Sequence, residues 1–291
     1  MPLVISNVSN DIFLTLSGLR IRGWRSKGRI LGGFWVSDSW VVTVPDTDYI
    51  DAGVNKNILS NLDNLATRYQ TLRNFPEGIR NCYRLRPVRP GGKYLVRAAF
   101  YYGNYDGKNA IPVFDLHIGV TLWRTVDSLV GDDTFIEEII TVAPADSLFV
   151  CLVNTARGIP FISSLELRPL SESMYLLVNQ SQSLVLIQRR RNYGASFQIR
   201  FPGDPYDRIW FNVSSGFQTL VANAKVQRNA GDEFEVPTSV LSTAVRTYNT
   251  SYYISSHITA VNARAGDRIY VVTHFAEIEL LMPNESRKMD I

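Results

Sequence analysis

No apolar run in the sequence approaches the roughly 20 residues that a bilayer-crossing helix needs, so the chain is expected to carry no membrane span. Cysteine is almost absent. Cys82 and Cys151 are too few for a disulfide scaffold and have no zinc-ligand spacing. Three histidines, His117, His257 and His274, lie far apart on strand-like segments, and no metal motif contains them. Neither sign of charge dominates: 30 Lys and Arg against 27 Asp and Glu leave +3, which gives no footprint for nucleic acid. No nucleophile elbow, phosphate-cradling glycine loop or cofactor fingerprint occurs. These absences point to a binding protein without metal or cofactor, and not to an enzyme.

The N-terminal residues do not read as a convincing secretion signal. Ile12 to Leu19 is a short apolar stretch, but no Lys or Arg precedes it, and Arg20, Arg22 and Arg25 follow directly. Against that stand N-glycosylation patterns at Asn7, Asn179, Asn212, Asn249 and Asn284, whose number leans towards a secreted or surface protein. Asn179, Asn212, Asn249 and Asn284 are taken as candidate acceptors.

What the sequence does hold is period-two patterning. In Lys93 to Phe100 it sets Tyr94, Val96 and Ala98 on one face and Leu95, Arg97 and Ala99 on the other. Val113 to Val120 reads as a second strand with Phe114, Leu116, Ile118 and Val120 turned inward. Leu148 to Val153 is nearly all apolar, as a strand covered on both faces should be, so Cys151 is read there as a small buried hydrophobe. Phe161 to Leu167 closes this antiparallel β-sandwich. Leu59, Leu62, Leu65, Tyr69 and Leu72 fall close to helical spacing and predict one short helix or 3₁₀ turn. Residues 1–42 show no sustained period and are expected to form a divergent, poorly ordered leader.

A weak repeat divides the chain. Gly92 to Phe100 is echoed by Gly266 to Phe275, and Asp46-Thr-Asp-Tyr-Ile-Asp by Asp204-Pro-Tyr-Asp-Arg-Ile. The expected architecture is all-β, with two tandem sandwich lobes over residues 43–172 and 195–291 and a connection over 173–194. The second copy reaches Ile291 soon after Phe275. It is therefore expected to be incomplete and to leave strand edges unpaired.

The candidate site is the loop holding Tyr101, Tyr102, Asn104, Tyr105 and Asp106. Flat aromatics beside amide and carboxylate groups suit the C–H faces and hydroxyl edges of a sugar. The same rings suit a peptide, because tyrosine gives contact area at low entropic cost, and they also suit plain packing at the mouth of the sandwich. Asp115 and His117 share a strand face and form either an acid–base pair or a solvent-facing polar pair.

Several stretches together resemble the malectin-like extracellular domain of plant leucine-rich-repeat receptor kinases. They are Pro45-Asp-Thr-Asp-Tyr-Ile-Asp-Ala-Gly53, Arg73-Asn-Phe-Pro-Glu-Gly78, Asn81-Cys-Tyr83 and Tyr94 to Gly107. The series continues with Phe114-Asp-Leu116, Phe161 to Pro169, Asn192-Tyr-Gly194, Asp204 to Trp210 and His274 to Glu279. The resemblance spans residues 43–291. It implies two malectin-type lobes on the outer face of the plasma membrane, a carbohydrate or secreted-peptide ligand, and a possible co-receptor. The Tyr101-Tyr102 segment resembles part of the sugar-binding rim of animal malectin. Ser39 stands where the family pattern places a cysteine, so Cys82 is expected to lack a disulfide partner. Leucine-rich repeats, membrane span and kinase are absent from the sequence, and a stand-alone lectin module or a soluble decoy is the alternative expectation.

Overall fold

The computed structural model describes residues 4–5, 20–24, 41–60, 63, 65–127, 133–214, 216–248, 268–279, 282 and 284. It divides the chain into two compact units. The first comprises Phe13–Glu172 with Leu177–Val185, and the second comprises Met1–Ile12, Ser173–Leu176 and Leu186–Ile291.

The strands run in chain order as β1 (Val4–Ile5), β2 (Arg20–Trp24), β3 (Val41–Pro45), β4 (Val54–Asn57), β5 (Thr71–Asn74) and β6 (Arg80–Leu85). Next come β7 (Lys93–Phe100), β8 (Val113–Ile118), β9 (Thr121–Val126), β10 (Phe135–Val142), β11 (Leu148–Arg157), β12 (Phe161–Ile162) and β13 (Ser164–Pro169). The rest are β14 (Leu184–Val185), β15 (Arg190–Tyr193), β16 (Trp210–Val213), β17 (Gln218–Val221) and β18 (Thr243–Arg246), with one short helix, α1 (Thr238–Leu241), before β18.

The first unit is a β-sandwich. One sheet has the order β14-β10-β7-β13-β2-β3 and the other β6-β11-β8-β9, with a small sheet β12-β5-β4 beside them. Alternation builds the core: Val96, Ala98, Ile139 and Leu165 from the larger sheet and Tyr83, Phe114, Leu116, Val150 and Leu152 from the smaller join one buried cluster. β7 is buried at all eight positions because β10 and β13 flank it. The face carrying Arg97 is therefore inside too. Arg97 lies directly opposite Glu138 on β10 and Glu166 on β13 and donates to each at 2.6 Å. A guanidinium so placed is held by two carboxylates, as a buried charge requires.

Several expectations are corrected. Cys82 is not a partnerless thiol: it is joined in a disulfide to Cys151, which is buried as expected. They face each other directly in the β6–β11 ladder, so strand pairing brings together cysteines 69 residues apart. Val120 is 91% exposed because the β8–β9 turn at Gly119 and Val120 lifts it out of the strand. Phe149 is exposed on β11, whose outward face is only partly covered. Phe161 to Leu167 is two strands in two sheets, broken at Ser163, whose hydroxyl accepts from the Tyr101 amide. The expectation of one short helix or 3₁₀ turn between Leu59 and Leu72 is met by a 3₁₀ turn at Thr67–Tyr69, with Leu59 exposed.

Of the expected leader, the structure describes β1, β2 and the start of β3, each in a ladder: β1 with β18, β2 with β13 and β3. The other residues of 1–42 lie outside the described residues. Between the lobes, β14 pairs with β10 of the first unit. In the second unit the described strands form one sheet β1-β18-β17 and one parallel pair, β15-β16. Its core cluster is Ile199, Trp210, Val236, Val240 and Leu241. No ladder is assigned among the described residues 268–279.

Candidate functional site

The segment after β7 turns back on itself because Gly103 and Asn104 both take positive φ, +48° and +49°. A side chain at 103 would meet Ile58 at 2.6 Å, and the Gly103 carbonyl accepts from the amides of Leu59 and Ser60. Glycine is required there by both angle and contact. Asn104 Oδ1 accepts from the Asn109 amide at 2.9 Å, and Asp106 accepts from the Lys108 amide and the Tyr102 hydroxyl. Burial, then the Asp106 hydrogen bond, pushes the Tyr102 phenol up to about 12.

The rings of this loop are inside. Tyr101, Tyr102 and Tyr105 keep only 4%, 5% and 6% of their surface exposed, and Tyr102 and Tyr105 pack with Phe161 at centroid distances of 6.0 and 5.4 Å. Asn104 and Asp106 are half-buried and reach solvent. The five candidate residues thus share one rim, with amide and carboxylate outward and aromatic faces inward.

Beside this rim lies an open groove of about 520 Å³. Val54, Lys56 and Leu59 form one wall, Asn74 and Pro76 a second, and Tyr105, Asp106 and Gly107 a third. All four residues of β4 are exposed, and among the described residues β4 pairs only with β5. Asn74 Oδ1 and the Tyr105 hydroxyl are buried with no hydrogen-bond partner. Each residue is more than nine-tenths buried. Burial raises the Tyr105 phenol above its ordinary value, and the Asn74 side chain opposes that rise. Buried polar atoms without a partner are costly.

The groove is set by a buried ion pair. Asp46, 2% exposed, accepts from Arg73 Nε at 2.6 Å, Arg73 Nη2 at 2.7 Å and the Tyr83 hydroxyl at 3.1 Å. Arg73 Nη1 donates to the carbonyls of Ala52 and Gly53, both at 3.2 Å. One guanidinium thus holds the entry to β4 against β5 and fixes Val54 relative to Asn74. At Gly53, φ is +83° and a Cβ would strike the Asn74 carbonyl at 2.7 Å. Sequence reasoning placed none of Lys56, Asn74, Asp46 or Arg73 in the site. Asp46 and the Arg73-Asn74 pair lay inside recognised motifs, but nothing in the sequence says that residues 27 apart meet.

Larger depressions lie in the second unit, one of about 1160 Å³ between residues 222–232 and 273–279 and one of about 710 Å³ along 194–203. The smaller groove of the first unit is singled out because two of its lining residues, Asn74 and Tyr105, carry buried polar atoms with no partner. Asp115 and His117 do not pair with each other: Asp115 accepts from Thr125 Oγ1 at 2.6 Å, and His117 Nδ1 lies 3.4 Å from the Val120 carbonyl. His274 packs edge-on to Phe234, and His257 lies outside the described residues. Asn179, Asn212 and Asn284 are exposed, whereas Asn249 lies outside the described residues. Among the described residues no metal-holding cluster occurs, and no helix is long and apolar enough to cross a membrane.

Two all-β units, the first of them a β-sandwich with an open groove walled by an exposed edge strand, define the architecture. The chain belongs to the malectin-like domain family, whose model matches residues 38–291. It is 37% identical over 257 residues to the probable LRR receptor-like serine/threonine-protein kinase MEE39 of Arabidopsis thaliana, covering 88% of this chain. A further probable LRR receptor-like kinase of that plant is 41% identical over 248 residues, covering 84%. The chain spans 28% and 27% of the length of these two relatives.

Among solved structures, the ANXUR1 extracellular domain of Arabidopsis thaliana superposes with a TM-score of 0.58 at 17% identity, over 71% of this chain and 62% of that one. A complex of the plant peptide RALF23 with FER and LLG2 superposes with a TM-score of 0.54 at 17% identity, over 79% of this chain and 65% of that one. These two likenesses carry the fold.

Proposed function

We propose that this chain is the non-catalytic, ligand-binding ectodomain part of a plant receptor kinase on the outer face of the plasma membrane. Its ligand is an extended segment of a secreted peptide laid along β4. The observation that carries this reading is the buried Asn74–Tyr105 pair, unsatisfied beneath an exposed edge strand. A peptide adding to β4 would take main-chain bonds from the strand edge and place alternate side chains in the groove. Lys56 and Asp106, both lining the groove, offer one charge of each sign to polar side chains of the peptide. The RALF23 complex supports a peptide ligand and a co-receptor in this fold.

A carbohydrate is the second reading, favoured by the amide of Asn104 and the carboxylate of Asp106, which reach solvent and suit hydroxyl edges. It is the weaker one because the tyrosine faces that would stack on a sugar are turned inward. The test is a library of secreted-type peptides and a panel of cell-wall oligosaccharides, each screened for binding to the chain and to Asn74→Ala. The peptide reading expects a peptide hit weakened about tenfold, on the order of 1.4 kcal/mol, with no change in melting temperature. An oligosaccharide hit lost in Tyr105→Phe, with no peptide hit, would replace it.

A further inference from the structure

We propose that Asn179 is a site of N-linked oligosaccharide attachment, an inference that rests on the extracellular reading above. Asn179, Gln180 and Ser181 are all exposed and form an Asn-X-Ser acceptor. Asn179 and Gln182 exchange backbone hydrogen bonds at 3.0 and 3.2 Å, which close a tight turn. Within it, Asn179 Oδ1 accepts from the Ser181 amide at 2.9 Å and from the Ser181 hydroxyl at 2.7 Å. Both donors sit on the carbonyl oxygen. They fix the amide plane and polarise the group, so the N–H becomes more acidic. Nδ2 is left as the outward edge, with one contact at 3.5 Å to the Leu177 carbonyl.

Every bond that shapes this turn lies within residues 179–182. The geometry therefore needs no tertiary partner, and the nascent chain can adopt it before folding. Asn212 differs. It is exposed but lies in β16, opposite Asn192 of β15, where folding holds the backbone extended. Leu177, 45% exposed, lies two residues before the acceptor, and an oligosaccharide at Asn179 would cover such apolar surface.

The co-reactant is an oligosaccharide carried on a lipid diphosphate. Nδ2 bonds to C1 of the first sugar and gives up a proton. The C1–O bond to the diphosphate breaks, and the lipid diphosphate leaves with the bonding pair. One amide hydrogen is exchanged for one oligosaccharide, and nothing is oxidised or reduced.

The test is expression of residues 1–291 behind a supplied secretion leader in cultured human cells. Tryptic peptides from medium and lysate are then mapped with and without peptide N-glycosidase. The peptide spanning residues 158–189 holds Asn179 as its only acceptor and is expected to be heavier by one oligosaccharide until the enzyme removes it. Asn179→Gln and Ser181→Ala are each expected to abolish that mass, and Ser181→Thr to retain it. An unmodified Asn179 in chain that entered the secretory pathway, judged by removal of the leader, overturns the inference. The supplied leader separates this from the receptor reading, which fails instead if the native protein is found in the cytosol.

Discussion

The two units carry one device built two ways. In the first, Asp46 reaches Arg73, 27 residues away on another strand, and Tyr83 on a third segment. In the second, Asp204 binds Arg208 four residues on and Trp210 six residues on, at 2.7 and 2.6 Å. Both carboxylates are buried and sit in the repeated aspartate-rich turns. Asp46 ties Arg73 of β5 to Tyr83 of β6, whereas Asp204 closes its own turn. Arg208 then donates to the carbonyls of Phe234 and Glu235 and to the Tyr175 hydroxyl. The same short motif thus supports a groove in one unit and a local knot in the other.

The largest expected effect is on these carboxylates. Asp46→Ala leaves the Arg73 guanidinium buried without its counter-charge and is expected to destabilise the first unit by about 3–5 kcal/mol, read from urea denaturation. Asp204→Ala should act similarly on the second unit. If Asp46→Ala costs under about 1 kcal/mol, the clamp does not hold the groove.

The disulfide comes next. Loop-entropy arithmetic for a 69-residue separation gives about 4 kcal/mol for Cys82→Ser with Cys151→Ser, confined to the first unit. Hydrogen exchange should quicken in β6 and β11 and stay unchanged in β15 and β16. Equal quickening in both units would erase the distinction between them.

Acidity distinguishes them further. Glu137 faces the first core opposite Ala98, with Arg124 Nε 3.4 Å from one oxygen and the other oxygen unpartnered. Burial raises its carboxyl to about 8, opposed by Arg124 and assisted by Glu138 and Asp127. The folded state keeps this proton after the unfolded state has lost it. Stability contributed here is therefore full below the ordinary carboxylate range and falls as pH rises through about 8, by a few kcal/mol at most. Glu137→Gln should flatten that fall in denaturation measured between pH 5 and 9, and an unchanged slope would show that Glu137 is not its source.

The smallest effect concerns native opening. The second unit's described core cluster of Ile199, Trp210, Val236, Val240 and Leu241 is smaller than the joint cluster of the first. Its slowest amides are expected to exchange at lower free energy than those of β7. Equal protection would contradict this.

Much of this was legible from residues. Alternation in Lys93 to Phe100 and Val113 to Ile118 located real strands, and the motif series identified the family. Alternation could not show that Arg97 faces inward, because burial of a polar face depends on Glu138 and Glu166 arriving from other strands. The disulfide was illegible for the same reason: register across β6 and β11 is a long-range fact. The aromatic loop was legible as a cluster, but Phe161, which draws two of its rings inward, comes from β12. The groove floor needed Asn74 and Tyr105 to meet, and no local pattern reports that.

The most direct measurement is a hydrogen-exchange footprint of the chain with the strongest-binding peptide from the secreted-type library. The account predicts new protection across Val54–Asn57 and at Asn74, lost when Asn74→Ala weakens the complex. Protection confined to residues 194–203 or 222–232 would contradict it and place the ligand on the second unit.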